Sequence, residues 1–125
     1  MQPVRRNTSV RILVGIFALT LIAQPVFAHA ILLESSPAAN TNIAGPNVSI
    51  QLRFNVRIDR NRSRLILVHP DGTQQPLAIN KDTKADIVAS ETAGLGPGAY
   101  RLRWQVLASD GHITRGEVLF TVTGV

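Results

Sequence analysis

Residues 100–106 alternate strictly between apolar and polar side chains, and this alternation limits the possible folds more than any other feature. Tyr100, Leu102, Trp104 and Val106 fall on one face, and Arg101, Arg103 and Gln105 fall on the other. A period of two is typical of a β-strand with one buried face. Residues 48–54 and 117–122 repeat the pattern. These segments predict sheets that bury one face each.

Four shorter segments also predict strands, at residues 30–33, 65–69, 77–80 and 87–90. Turn signals separate them, including Ser35-Ser36-Pro37, Pro70-Asp71-Gly72 and Leu95-Gly96-Pro97-Gly98. No segment after residue 28 shows a clear helical period. Seven short strands with such spacing predict an all-β, immunoglobulin-like sandwich. In related sandwiches a tyrosine hydroxyl caps a loop backbone, and we expect this role for Tyr100.

The first 28 residues have the anatomy of a secretory signal peptide. A basic start with Arg5, Arg6 and Arg11 precedes an apolar stretch from Ile12 to Ala23, and Val26-Phe27-Ala28 resembles a cleavage site. The apolar stretch is shorter than the ~20 residues that a spanning helix needs. We therefore predict a cleaved signal at residues 1–28 and one secreted domain at residues 29–125. An uncleaved anchor is the alternative.

Removal of the signal changes the composition that matters for function. The chain has 13 basic and 8 acidic residues, and three basic residues lie in the signal, which leaves a net charge of +2. This balance gives no reason to expect nucleic-acid binding, which usually needs a clustered basic patch. There is no cysteine, and the only methionine is Met1. Thiolate sites are therefore excluded, and the secreted domain lacks the sulfur donors that Cu(I) prefers.

One group of arginines is close together in sequence, at Arg53, Arg57, Arg60, Arg62 and Arg64. We interpret them as solvated side chains on strand faces and a turn. The alternative is a weak docking surface for an anionic partner or a lipid headgroup.

Cleavage after Ala28 would make His29 the first residue of the secreted domain. Its free α-amine and a ring nitrogen could then chelate one metal ion together. Asp110 and His112 could add an oxygen and a nitrogen, with Gly111 between them allowing a tight bend. Such a nitrogen and oxygen donor set suits square-planar Cu(II). Asp110-Gly111-His112 alone would indicate only a surface turn, but the histidine at the cleavage site favours the metal interpretation.

Several motifs together resemble the CopC family of periplasmic copper-binding proteins. These motifs are His29-Ala30-Ile31-Leu32, Ser36-Pro37-Ala38, Pro97-Gly98-x-Tyr100-x-x-x-Trp104 and Ser109-Asp110-Gly111-His112-x-x-x-Gly116-x-x-x-Phe120. The resemblance implies a Greek-key β-sandwich that binds Cu(II) through the α-amine and Nδ1 of His29, with Asp110 and His112. It also implies a role in copper resistance or uptake, beside an inner-membrane partner of the CopD type. We expect a monomer that holds one Cu(II).

The chain departs from the family pattern in two places. Many members carry a glutamate near the copper site, after a Phe-Ser pair, whereas this chain has Phe54-Asn55-Val56. Groups around the ligands tune affinity, so the loss of that carboxylate bears on the strength of binding. The chain also lacks the methionine-rich segment that some members use for Cu(I), and it is therefore similar to members that bind only Cu(II).

Two other functions remain open from the sequence. A histidine at the chain start plus a second histidine on copper also resembles the brace of oxidative polysaccharide-cleaving monooxygenases. A metal-free secreted interaction module is consistent with the fold but leaves the histidines unexplained. We predict a carrier or buffer rather than an enzyme. His69 precedes a turn, and we interpret it as solvent-facing, with a fourth-ligand role as the alternative.

Overall fold

A computed structural model describes residues 29–124 of the chain. The predicted signal and its cleavage site after Ala28 therefore lie outside the described residues, except for His29 itself. Within the described part of the chain, no helix is long and apolar enough to span a membrane. The structure contains eight strands: β1 (Leu32–Ser36), β2 (Thr41–Ala44), β3 (Val48–Phe54), β4 (Ile58–Val68), β5 (Gln74–Leu77), β6 (Ile87–Thr92), β7 (Gly98–Ala108) and β8 (Ile113–Thr123).

The strands form two sheets, and the chain crosses repeatedly between them. The three-stranded sheet has the order β1-β3-β6, and the five-stranded sheet has the order β2-β8-β7-β4-β5. All neighbouring strands are antiparallel except β2, which runs parallel to β8. The predicted all-β Greek-key sandwich is thus confirmed.

The buried core lies between the sheets and comes from the alternating segments. In β7 the four apolar residues of residues 100–106 are all buried, and their polar neighbours face away. The ring of Trp104 meets Phe54 of the other sheet edge to face, at 5.2 Å between centroids. Trp104 is paired with Gly116 of β8, and a Cβ at Gly116 would lie 2.2 Å from an indole carbon. The absence of a side chain at Gly116 therefore leaves the space that the indole fills.

Most strand boundaries differ from the sequence prediction, and β8 begins at Ile113, four residues before its predicted start. All seven predicted strands exist, but β2 is an eighth, and its four residues place only Ile43 partly inside. β1 begins two residues later than expected, and β5 covers residues 74–77 rather than 77–80. β4 begins at Ile58, seven residues before the predicted start. An irregularity between Asp59 and Arg64 interrupts its alternation, and this interruption hid the strand in the sequence.

The five neighbouring arginines do not form one surface. Arg53 pairs with Glu34 at 2.8 Å, and Arg62 lies 3.9 Å from Asp59. The solvated interpretation is wrong for Arg60, which is half-buried and donates from Nη1 to the carbonyls of Thr83 and Lys84, both at 2.8 Å. Arg64 faces outward from the five-stranded sheet.

Candidate metal centre

The turn between β7 and β8 carries two of the three predicted donors. The backbone N–H of Ala108 donates to the carbonyl of His112 at 2.8 Å, and that of Gly111 donates to Ala108 at 2.9 Å. Gly111 has a φ of 94°, a left-handed conformation that glycine adopts without strain. The predicted bend at Gly111 is therefore confirmed, and it sets Asp110 and His112 on one short loop.

The carboxylate of Asp110 is turned toward His112. Its Oδ1 accepts the backbone N–H of His112 at 3.0 Å and lies 3.4 Å from Nδ1 of the same residue. The backbone hydrogen bond is the main cause that holds the pKa of Asp110 below its usual value, and the His112 ring acts in the same direction. The side chain is thus an anionic oxygen donor fixed beside an imidazole.

His29 reaches this hairpin because the first residues of the described chain are anchored. Ala30 is buried. The backbone N–H and the backbone carbonyl of Ile31 both form hydrogen bonds with Asn55. The N–H of Ile31 donates to Asn55 Oδ1 at 2.7 Å, and the N–H of Asn55 donates to the Ile31 carbonyl at 3.1 Å. These bonds fix the chain two residues after His29.

A further backbone contact ties the Asn55 loop to the metal-centre hairpin. The N–H of Ser109 donates to the carbonyl of Arg57 at 3.0 Å. Three segments therefore meet at one end of the sandwich: the chain before β1, the loop between β3 and β4, and the hairpin between β7 and β8.

The two predicted histidine ligands lie against each other at this end. Their ring centroids are 5.6 Å apart, and the ring planes are inclined by 82°. Two imidazoles that bind one ion at metal–nitrogen distances of about 2.0 Å have centroids roughly 4.4 to 6.3 Å apart, from cis to trans. The observed separation falls in this range and also in the range of about 4.5–7 Å of ordinary edge-to-face ring contacts, so it allows a shared metal ion without requiring one.

The side chains alone do not complete a site. Within residues 29–124, no group of three or more His, Cys, Asp or Glu side chains is arranged to hold a metal ion. His29 contacts His112, and Asp110 contacts His112, so His112 is the residue that links the three. The α-amine of a processed His29 would be an additional donor. At the family's glutamate position, Val56 packs partly buried against the core and supplies no donor.

His69 lies at the other end of the molecule. Its Nε2 is 2.8 Å from Gln75 Oε1, and its ring meets Tyr100 at 5.3 Å. Tyr100 lies near the start of β7, whereas the metal-centre hairpin follows Ala108 at its end. At ~3.3 Å per residue, this separation is about 26 Å, so His69 does not share the site. The Tyr100 hydroxyl donates to the Gly96 carbonyl at 2.8 Å, which confirms its predicted capping role.

Comparisons with known proteins agree with this architecture. A family model described as the CopC domain matches residues 32–123, from the start of β1 to the end of β8. Protein YobA of Escherichia coli (strain K12) is 28% identical over 117 residues, which cover 91% of this chain and 94% of that protein. Copper resistance protein C of Xanthomonas campestris pv. juglandis is 29% identical over 123 residues, with coverage of 91% and 95%. The crystal structure of CopC from Methylosinus trichosporium OB3b has a TM-score of 0.69 and 26% identity, covering 77% of this chain and 95% of that one.

Proposed function

The chain belongs to the CopC family. On this premise we propose that it carries one Cu(II) ion between His29, at the start of the secreted domain, and the β7–β8 hairpin. It is a copper-binding protein of the copper resistance class. The proposed donors are the α-amine and ring of His29, together with Asp110 and His112.

The observation that carries this proposal is the approach of the His29 and His112 rings to 5.6 Å. The residues lie 83 positions apart in the sequence, and the fold brings their rings together at the end of the sandwich that also carries Asp110. The contact therefore supports a shared metal ion. All donors are nitrogen or oxygen, and residues 29–125 contain no sulfur, which favours Cu(II) over Cu(I).

The cellular setting follows from the first 28 residues. We infer that they direct export and are removed after Ala28, which leaves a monomeric carrier in the periplasm with His29 as its first residue. Its metal partner would be an inner-membrane copper transport protein of the CopD type. Mass spectrometry of the protein recovered from the periplasm would identify the first residue directly.

Transport rather than catalysis is the function that this donor set supports. If Asp110 also bound the copper, its carboxylate would occupy a coordination position that an oxygen-activating enzyme would need for its substrate. The copper-loaded protein should therefore not consume a reductant with oxygen or peroxide faster than free copper does. Sustained turnover on a polysaccharide would favour the oxidative enzyme instead.

The α-amine offers the sharpest test of the proposed site. Acetylating the α-amine of His29 removes that nitrogen as a donor, while the domain and all side chains are kept. Cu(II) affinity should fall by about a hundredfold, since a pre-linked second donor contributes on this order. His69→Ala is the matched control and should bind like the unmodified protein. Equal affinity of the acetylated and native proteins would contradict the proposed chelate.

A further inference from the structure

The outer face of the five-stranded sheet concentrates positive charge. In β4, β7 and β8 alternate side chains are buried, so the side chains between them point outward. The pairing of the three strands brings these outward side chains together. Arg64 of β4 is paired with Gln105 of β7, which is in turn paired with Arg115 of β8. Arg103 of β7 is paired with Glu117 of β8. We call this surface the arginine face, and its four arginines are Arg64, Arg101, Arg103 and Arg115.

Most of this charge has no acidic partner. Two acidic residues lie on this outer side of the sheet: the carboxylate of Glu117 is 3.8 Å from Arg101, and that of Asp59, whose strand position is paired with Leu107, is 3.9 Å from Arg62. Arg115 donates to the neutral Gln105 at 2.8 Å. Within residues 29–124, Arg64 and Arg103 form no ion pair. On the other sheet, by contrast, Arg53 is directly opposite Glu34 and paired with it.

The charge of the domain is therefore unevenly distributed. With Arg62 and Asp59 of β4 included, five arginines against two acidic residues give this side of the sheet a charge of +3. The rest of residues 29–124 carries five basic and six acidic side chains, a charge of −1. An anionic partner would consequently meet attraction on one side of the molecule only.

Exposed aliphatic side chains flank these arginines. Ile113 is 52% exposed and Leu119 is 45% exposed, and both point outward from β8. Between them, Arg64, Arg103 and Arg115 line an open groove of about 260 Å³, with Ile66 and the single acidic residue Glu117 also in its wall. Guanidinium groups bind phosphate oxygens in a bidentate manner, and aliphatic side chains insert among lipid headgroups. The combination matches a phospholipid surface better than a purely acidic peptide.

We propose that the arginine face docks on a bilayer that contains anionic phospholipid. Ile113 directly follows His112, so docking on this face brings the metal-centre hairpin to the membrane surface. There the protein would meet an integral-membrane copper partner by diffusion in two dimensions. This inference goes beyond the proposed carriage of copper and does not depend on the metal ligands.

Vesicle co-sedimentation at low ionic strength tests the proposal. Signal-free protein should bind vesicles of phosphatidylglycerol and phosphatidylcholine, and should not bind phosphatidylcholine alone. Each arginine near an anionic bilayer contributes about fivefold to binding. The triple variant Arg64→Gln/Arg103→Gln/Arg115→Gln should therefore bind about a hundredfold more weakly, with its Cu(II) affinity unchanged.

A matched variant distinguishes the effect of the arginine face from the effect of the net charge on vesicle binding. Arg53→Gln/Lys81→Gln/Lys84→Gln removes three cations that lie outside the five-stranded sheet and should retain most of the vesicle binding. Ile113→Ser should weaken binding to vesicles but not to soluble polyglutamate. Equal losses in the two triple variants would overturn the proposal. Binding to polyglutamate without binding to vesicles would assign the face to an acidic protein instead.

Discussion

His112 is the residue on which the proposed site depends, because both other side chains meet at its ring. His112→Ala should lower Cu(II) affinity by more than about a hundredfold, since even groups that only orient a ligand contribute 10–100-fold. Asp110→Asn should cost less, because the amide oxygen still accepts the His112 N–H. Some affinity should be lost, because an amide oxygen is a weaker metal donor than a carboxylate. Competition titration against a Cu(II) chelator measures both changes.

The control for these variants is His69→Ala, which lies about 26 Å from the hairpin by strand length. It should leave affinity and the copper absorption spectrum unchanged. A loss for His69→Ala comparable to that for His112→Ala would reverse the assignment of ligands.

Asn55 is expected to position His29 although it is not a proposed ligand. Asn55→Ala removes the acceptor of the Ile31 N–H, so the chain before β1 should loosen and Cu(II) affinity should fall about tenfold. In the metal-free protein, the amide of Ile31 should exchange its hydrogen faster. Asn55→Asp keeps an oxygen at the same atom and should restore slow exchange and most of the affinity. Unchanged exchange in Asn55→Ala would contradict this role.

The sequence named the three candidate side-chain donors but not Asn55, which anchors the chain next to His29. A histidine after a signal-like segment and an Asp-Gly-His turn are local patterns, and each is visible without the fold. Asn55 acts through a hydrogen bond to a residue 24 positions away, and nothing in its own neighbourhood indicates this contact. The distance of His69 from the hairpin also becomes apparent only from the register of β4 on β7.

At the scale of elements, an exposed ion pair helps to hold β1 on β3. Arg53 donates to the Glu34 carboxylate, and this hydrogen bond holds the pKa of Glu34 below its usual value of 4.5. A lowered pKa in the folded state means that the stabilisation is complete above pH 4.5 and is lost as the pH falls through the folded value. Because both groups are solvent-exposed, the effect should be small and weakened by salt.

Glu34→Gln should therefore reduce the free energy of unfolding near neutral pH and flatten its decline as the pH falls below the usual glutamate pKa of 4.5. Urea denaturation at several pH values measures this slope. Adding Arg53→Gln to the Glu34→Gln variant should have little further effect on the slope. A steeper decline in the single variant would contradict the assigned pair.

The packing of Trp104 over Gly116 joins β7 to β8 at the middle of the sheet. Gly116→Ala would place a methyl group against a ring that is itself held by Phe54, so the indole must shift. We expect a loss of about 1–3 kcal/mol in the free energy of unfolding, the usual range for overpacked cores. Denaturation followed by tryptophan fluorescence reports the change, because Trp104 is the only tryptophan.

Gly96→Ala is the matched control for this change. A Cβ at Gly96 meets nothing within 4 Å, and the carbonyl that Tyr100 caps is retained. It should therefore be nearly neutral. Equal destabilisation by the two substitutions would indicate a general glycine effect rather than contact with the indole.

Regular alternation allowed the central strands to be predicted, and its interruption explains the errors. β3, β7 and β8 each bury every second side chain, so their period of two is plain in the sequence. β2 has only one partly buried residue in four, which is too few to form a pattern. In the first half of β4, Ser63 points inward and bonds to the backbone of Asp59 and Leu107, so a polar residue occupies a core-facing position.

At the scale of the whole molecule, the absence of sulfur defines the expected choice of ion. Residues 29–125 contain neither cysteine nor methionine, so the protein should bind Cu(II) far better than Cu(I). Adding a reductant to the copper-loaded protein should transfer the metal to a Cu(I) chelator. Comparable affinities in parallel titrations with Cu(II) and Cu(I) competitors would contradict the proposed donor set.

The meeting of His29 with His112 also has a consequence for the lifetime of the protein. The proposed site takes donors from segments 83 positions apart in the sequence and would exist only while the sandwich is folded, so bound metal would favour the folded state. Each tenfold excess of copper over the dissociation constant then adds about 1.4 kcal/mol to stability. Proteases act on transiently opened chains, so loaded molecules would outlast empty ones. Copper supply would thus set the amount of its own carrier without any change in gene expression.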